Sequence, residues 1–355
     1  MSAQNRRGHL SFSVFVLLCT LLTGTAFAAA KKPMTAAELA LYDGADRQQI
    51  LEEGARKEGK LTFYTTHILN KLYVDAFQKK YPFIQVESWR ASTNALLPRI
   101  LEEYKSGRHI VDVIEASQLT MQVTQKMGIL QPFYSPNVAY MEEEAIERAP
   151  GKGFLRVTLR ESGIGLAYNT KLIAKEELPK AYPDLLDPKW KGKGKVAIAF
   201  DTGGRSWMEA MLATHGEDFV KRIASQNFDL HVVTSRGILD MIINGEYRLS
   251  PTIYDSHVWE SKKKKAPVDW WPLEPVPVTL SQAALYKYVS HPYAALLFID
   301  FEFSKESAEI MKTTGYTSNR KDYAGDKTYK KYYGAESAEE EAKNAELFSR
   351  LFIKK

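Results

Sequence analysis

A chain of 355 residues with a formal charge of +5, from 48 basic and 43 acidic side chains, is too evenly balanced for a nucleic-acid binder, which concentrates basic residues on one face. Its one cysteine excludes a disulfide framework. Burial must hold the fold, and the length is enough for two domains.

In chain order, the N-terminus comes first. Arg6 and Arg7 precede an apolar run from Leu10 to Leu22, and Ala26-Phe27-Ala28 offers the small-residue spacing that signal peptidase accepts. The pattern predicts a secretory signal over 1–28, hence a periplasmic mature protein. The run is short for a membrane span. Cys19 lies within it, behind Leu17 and Leu18, and not at a cleavage point, so no lipid anchor is expected. The residues after the arginine pair fit twin-arginine export poorly. The most apolar later segment, Ala294 to Phe303, is interrupted by Asp300 and Glu302.

The remainder alternates strands with helices. Lys60 to Thr65 reads as a first strand, entered from Gly59 at the end of a charged helix. A helix over Asn70 to Tyr81 carries Leu72, Val74 and Phe77 at helical spacing. Strand Phe83 to Trp89, helix Ala95 to Lys105 and the short strand Val111 to Ile114 follow. This rhythm predicts a mostly parallel sheet covered by helices. It breaks near Gln131-Pro132-Phe133, and Arg156 to Leu159 and Gly165 to Tyr168 read as two further strands. A second α/β unit comprises strand Lys195 to Phe200, a helix from about Ser206, strand Asp229 to Val233, helix Gly237 to Ile243 and strand Leu249 to Tyr254. Lys262 to Lys265 reads as a solvated loop. Pro292 to Phe303 and Glu306 to Lys312 read as helices, and the rest as a charged tail. Two units without a flexible join predict lobes that share crossover strands, with a cleft between them.

The order of several short segments carries a resemblance. Leu61-Thr62-Phe63-Tyr64, Asp112-Val113-Ile114, Tyr168-Asn169-Thr170, Asp187-Pro188-Lys189-Trp190-Lys191-Gly192, Asn244-Gly245-Glu246 and Phe298 to Met311 follow one another as in a known group. The chain resembles the bacterial periplasmic solute-binding proteins of ABC importers, in the branch containing the ferric-ion-binding proteins. The resemblance implies an α/β, two-lobed Venus-flytrap fold of type II with a hinge of crossover strands. It implies an N-terminal lobe of 31–160 plus 279–318 and a C-terminal lobe and tail of 161–278 plus 319–355. The expected function is that of a monomeric receptor that passes a solute to an ABC permease in the inner membrane, with no cofactor and no nucleic-acid partner.

Set against the iron-binding relatives, the metal ligands depart from the pattern. Ferric ion favours phenolate and carboxylate oxygens. The slot for adjacent tyrosines holds Asp255-Ser256, with Tyr254 beside Ile253, and the family glutamate falls at Ser117, near Glu115. His67 ends the first strand where a family histidine can sit, and Tyr332-Tyr333 reads as exposed surface of the tail. No metal site is expected, and ferric iron stands as the alternative cargo.

The anion side is better matched. Ala199 to Ser206 runs from a strand into a helix, so the backbone of Gly203 and Gly204 can approach a ligand, and Arg205 can clasp a carboxylate or phosphate. On turn chemistry alone, Thr202-Gly203-Gly204 is also an ordinary tight turn. The resemblance puts Gln118 and Thr234 near further anion contacts. Thr66 and His67 follow the first strand, and Arg90 and Ser92 follow the second, at the carboxyl ends where open α/β sheets bind ligands. Arg90 could equally be a surface salt-bridge partner. Arg160, in the crossover, either neutralises ligand or pins the hinge, and Tyr254 and Asp255 close the last strand. Trp207, Trp259, Trp270 and Trp271 read as core. The expected guest is a small anionic organic solute (a phosphonate, phosphate ester or carboxylate), held between Gly203, Gly204 and Arg205 in one lobe and Thr66 and Arg90 in the other. No nucleophile elbow, zinc-helix pattern, phosphate loop or dinucleotide fingerprint is present, so a secreted enzyme on the same fold is the second alternative, and no catalytic residue is assigned.

Overall fold

The computed structural model describes residues 35–323, 329–334 and 338–353. The expected secretory segment lies outside the described residues. The first lobe begins with α1 (Ala36–Ala40), α2 (Arg47–Glu58), β1 (Lys60–Thr65), α3 (Asn70–Lys80), β2 (Gln85–Arg90), α4 (Thr93–Lys105), β3 (Val113–Ser117) and α5 (Gln118–Lys126). The short strands β4 (Leu130–Gln131) and β5 (Ile146–Arg148) precede the long β6 (Phe154–Asn169). The second lobe holds β7 (Ala197–Ala199), α6 (Thr202–Ala224), β8 (Asp229–His231), α7 (Ser235–Asn244), β9 (Leu249–Tyr254), α8 (Asp255–Lys263) and β10 (Val268–Trp271). Then β11 (Val276–Tyr286) returns to α9 (Pro292–Glu302), α10 (Lys305–Lys312) and β12 (Thr317–Ser318). The tail folds as β13 (Lys331–Tyr333) and α11 (Ala338–Phe352).

Local chemistry accounts for the first boundary. Gly59 sits at φ 68, so the chain leaves α2 through a left-handed residue, its N–H bonded to Ala55 O, and enters β1 at the next position. Within the sheet, β1 pairs in parallel with β2 and β3. The strand order is β10-β6-β11-β3-β1-β2, and β11 runs antiparallel to both β3 and β6. The sheet is therefore mixed and not mostly parallel. The chain enters the second lobe along β6 and comes back along β11, and two such passes side by side must oppose each other.

β6 is one strand of 16 residues where the sequence suggested two. From Arg156 to Asn169 every side chain is buried, polar ones included, so no alternation marks its middle. Its first half pairs with β11, and its second half with β9 and β10.

The two largest of the four apolar cores among the described residues lie on the two sides of these crossovers. In the first, every residue of α9 from Ala294 to Glu302 is buried, and Phe298 packs on Phe63 with ring centroids 4.7 Å apart. Each such ring stabilises by roughly 1.5–3 kcal/mol on burial. The second core gathers Tyr182, Trp190, Trp207 and Phe219. Phe348 of the tail joins it fully buried, its ring stacked 5.6 Å from Phe200, so α11 is part of the second lobe and not a loose charged tail. Tyr332 is likewise half-buried against this core and β13 pairs with β11, which corrects the expectation of an exposed tyrosine pair; only Tyr333 remains exposed.

Candidate ligand cleft

A cavity of about 400 Å³ opens between the lobes where the strands of both end. Five helices start at, or one position after, residues that line it: α4 and α5 from the first lobe, and α6, α7 and α8 from the second. Their N–H ends turn the wall electropositive, because the first turn of a helix leaves donors unpaired. Ser117 and Thr234 satisfy one donor each, accepting from Thr120 N at 3.5 Å and from Gly237 N at 3.3 Å. Ser92 and Tyr254, at the starts of α4 and α8, make no such side-chain cap.

Three guanidiniums stand on this wall, two of them paired with carboxylates of the chain. The exposed Arg90 side chain makes no ion pair or hydrogen bond among the described residues, and desolvation at the wall together with the Arg160 charge lowers its pKa. Arg160 is paired, its Nη2 lying 2.9 Å from Glu115 Oε1, with both side chains almost wholly buried. The guanidinium lies 4.3 Å from the centre of the Tyr316 ring, and its Nε finds no partner. Glu115 is oriented from the other side by the Thr65 hydroxyl. Arg236 pairs with Glu260 at 3.3 Å and Asp240 at 3.1 Å. Burial drives the His257 imidazole down to about 3, with Arg236, Arg90 and Arg160 acting in the same sense, so it is neutral in ordinary solution. Its Nδ1 is buried without a partner.

The expected residues divide between the cavity and its surroundings. Thr66, Arg90, Ser92, Ser117, Arg160, Thr234 and Tyr254 line it. His67 lies behind the wall, its ring 4.8 Å from both Tyr73 and Tyr316, and burial holds its pKa far below the usual histidine value. Gln118 opens on a smaller neighbouring cavity of about 60 Å³. Asp255 is buried away from the cavity; its Oδ1 accepts from Ser256 N at 2.6 Å and its Oδ2 faces Gly163.

Gly203, Gly204 and Arg205 do not line this cavity and are packed against the chain's own groups. A Cβ on Gly204 would come within 1.9 Å of Ala199 O, and one on Gly203 within 2.4 Å of Ser235 Oγ. These glycines let α6 lie close against β7 and α7. The Gly204 N–H is already used, donating to Asp201 Oδ1 at 3.2 Å, and Asp201 also accepts from Ser235 N at 2.6 Å. Arg205 is turned to the tail, donating from Nε to Glu341 and from Nη2 to Thr202 Oγ1. Two carboxylates of the chain itself, Asp201 and Glu341, thus hold the Gly204 and Arg205 donors of the expected anion grip.

Sequence reasoning missed Asp201, Ser235, Arg236, Ser256, His257, Glu260, Thr279 and Tyr316, all of which line the cavity. Asp201 was legible as the residue between a strand and a helix, the usual N-cap position. His257 and Glu260 were legible as one face of a helix that follows a strand end. Tyr316 and Thr279 had no local sign, since they arrive from the late crossover and the segment beyond α10. Among the described residues no three His, Cys, Asp or Glu side chains group as a metal site would require. No helix among them is long and apolar enough to cross a membrane.

Comparison with known proteins gives three results. The pattern of the family described as bacterial extracellular solute-binding protein matches residues 109–332. An uncharacterized protein of Haemophilus influenzae is 25% identical over 271 residues, covering 72% of this chain and 76% of that one. Two solved structures share the two-lobed periplasmic binding protein fold. Iron-bound HitA from Pseudomonas aeruginosa aligns with TM-score 0.65 and 21% identity, over 83% of this chain and 99% of that one. AfuA from Actinobacillus pleuropneumoniae, with fructose-6-phosphate bound, aligns with TM-score 0.62 and 21% identity, over 83% of this chain and 97% of that one.

Proposed function

We propose, since this chain belongs to the bacterial extracellular solute-binding protein family, that it is the periplasmic substrate-binding component of an ABC importer and captures a small anionic organic solute. Residues 1–28 would direct export, and the mature monomer would deliver its load to a permease in the inner membrane. The observation that carries the anionic reading is Arg90, an exposed guanidinium on the cavity wall with no counter-charge among the described residues. A cation in that position is stabilised by a negative guest. Arg160 beside it, with a free Nε, and the N-termini of α4 and α5 support the same end of the cleft. The anion then sits on the first lobe and the crossover, with Thr66, Ser92 and Ser117, while Thr234 and Tyr254 approach it from the second. Because a guest touches both lobes at once, its extra contacts in the shut form drive closure.

Native mass spectrometry of protein purified from its periplasm tests this reading directly. A bound small organic anion is the expected finding. A bare metal ion, or a neutral apolar guest, would overturn it. Ferric ion is the second reading, favoured by Tyr254 and Tyr316 on the cavity wall, since phenolates are good ligands for it. A phenolate–iron charge-transfer band on adding ferric citrate would establish it. Binding without turnover of phosphate esters separates the receptor from an enzyme on the same fold.

A further inference from the structure

The two lobes also touch away from the crossover strands, at the edge of the cavity. On the second lobe, α8 offers His257 and Glu260 to the cavity. Trp259 and Lys263 of the same helix reach instead the segment between α10 and β12, which joins the first core through Met311 and Tyr316. Gly315 in that segment sits at φ 76, and a Cβ there would come within 2.7 Å of Trp259 Cγ. The indole therefore lies directly on bare backbone that only glycine leaves open. Lys263 Nζ donates to Thr313 O at 2.7 Å and stands 3.6 Å from the centre of the Trp259 ring. The ammonium is held by the face of the indole and caps the carbonyl end of α10, where a helix leaves acceptors unpaired and favours positive charge.

Neither side chain behaves as its sequence context suggested. Trp259, expected in a core, is partly exposed and belongs to none of the four apolar cores among the described residues. Within the lysine run, Lys262 pairs with Asp269 and Lys264 with Glu260, each at 2.6 Å and each inside the second lobe. Lys263 crosses to the first lobe. Both sides of the contact adjoin the cavity lining: Trp259 precedes Glu260 and Gly315 precedes Tyr316, and the cavity is lined by Glu260 and Tyr316. The contact thus stands on the cavity's side of the crossovers, and parting the lobes to admit a guest would break it.

We propose that Trp259, Lys263 and the segment from Thr313 to Gly315 form a clasp that favours the shut arrangement of the lobes whatever the guest. A guest then supplies only part of the difference between the open and shut forms, because a form already populated need not be created by binding. Trp259 is the body of the clasp, Lys263 fastens it to α10, and Gly315 is the seat that any side chain would fill.

Small-angle X-ray scattering of the mature chain, with no guest added, tests the clasp. The parent protein should give the curve of this structure, with α8 against the α10–β12 segment. Trp259→Ala should raise the radius of gyration, and Lys263→Met should raise it less. Trp259→Phe, which keeps a ring on Gly315, should stay near the parent value. Gly315→Ala should act like Trp259→Ala from the other side of the contact, and the two together should add little beyond either alone. Thermal melting of the same samples shows which variants are folded, and Lys263→Met, a change on an exposed side chain, stays readable if Trp259→Ala does not fold. An unchanged radius in Lys263→Met and in folded Trp259→Ala would overturn the proposal. Equal expansion of the Ala and Phe variants, or a parent curve already wider than this structure gives, would do the same. No guest enters the measurement, so such a failure would leave the anion receptor standing.

Discussion

Arg205 Nε lies 3.0 Å from Glu341 Oε1, which ties the first turn of α6 to the helix that ends the chain. Both side chains are mostly shielded from solvent. Arg205→Ala should leave ligand affinity unchanged and lower stability by about 1–2 kcal/mol, the scale of a charge-assisted hydrogen bond. Calorimetry and thermal melting on the same sample decide. A loss of affinity of about tenfold, or 1.4 kcal/mol, at an unchanged melting point would return Arg205 to the ligand site.

Arg90 should behave in the opposite way. With no described counter-charge to lose, Arg90→Gln costs the fold little, yet it removes the cation that meets the guest. Affinity should weaken by about 1–3 kcal/mol while the melting temperature of the empty protein stays the same or rises. Undiminished affinity would show that the guest's charge sits elsewhere.

Gly204→Ala tests the role of the glycine turn. The added methyl would lie 1.9 Å from Ala199 O, so α6 must move off β7. Overpacking of this kind costs about 1–3 kcal/mol. Denaturant unfolding should show that loss, with affinity kept in the folded fraction. The reverse pattern would restore the turn as a ligand contact.

Phe348 is fully buried in the second core, against Phe200 and Phe352. Phe348→Ala should cost about 3–5 kcal/mol, and a truncation before α11 should destabilise at least as much. A change below about 1 kcal/mol would be that of a surface residue and would make α11 a detachable appendage.

His257 predicts a pH dependence of stability. Its pKa is about 3 in the folded protein and 6.5 without the fold. Between those values the unfolded chain holds the extra proton, so stability is fully present above pH 6.5 and declines as the pH falls through the window. In His257→Gln the decline between pH 6.5 and 4 should be shallower, as read by urea unfolding at a series of pH values. Parallel curves would mean that His257 is not the group held neutral.

Elements with a local signature were legible. Lys60 to Thr65 and Leu249 to Tyr254 were read at their observed bounds, since each is a β-prone run that follows a helix closed by glycine. Thr66, Arg90 and Ser92 line the cavity because residues after a strand end collect on one edge of an α/β sheet, while Ser117 and Thr234, which also line it, were placed by the resemblance. The return strand β11 escaped notice, as did the middle of β6. Strands buried on both faces lose the alternation by which a strand is recognised.

Composition and periodicity, acting within a few residues, determined the α/β class, the two-lobed order of elements and the edge on which polar groups gather. Only the tertiary structure decided which polar groups face the cavity and which are consumed by the protein itself. Glu115 reaches Arg160 across 45 positions and Glu341 reaches Arg205 across 136. Charge is cancelled wherever packing brings opposite groups together in a dry interior, and no spacing along the chain records that meeting.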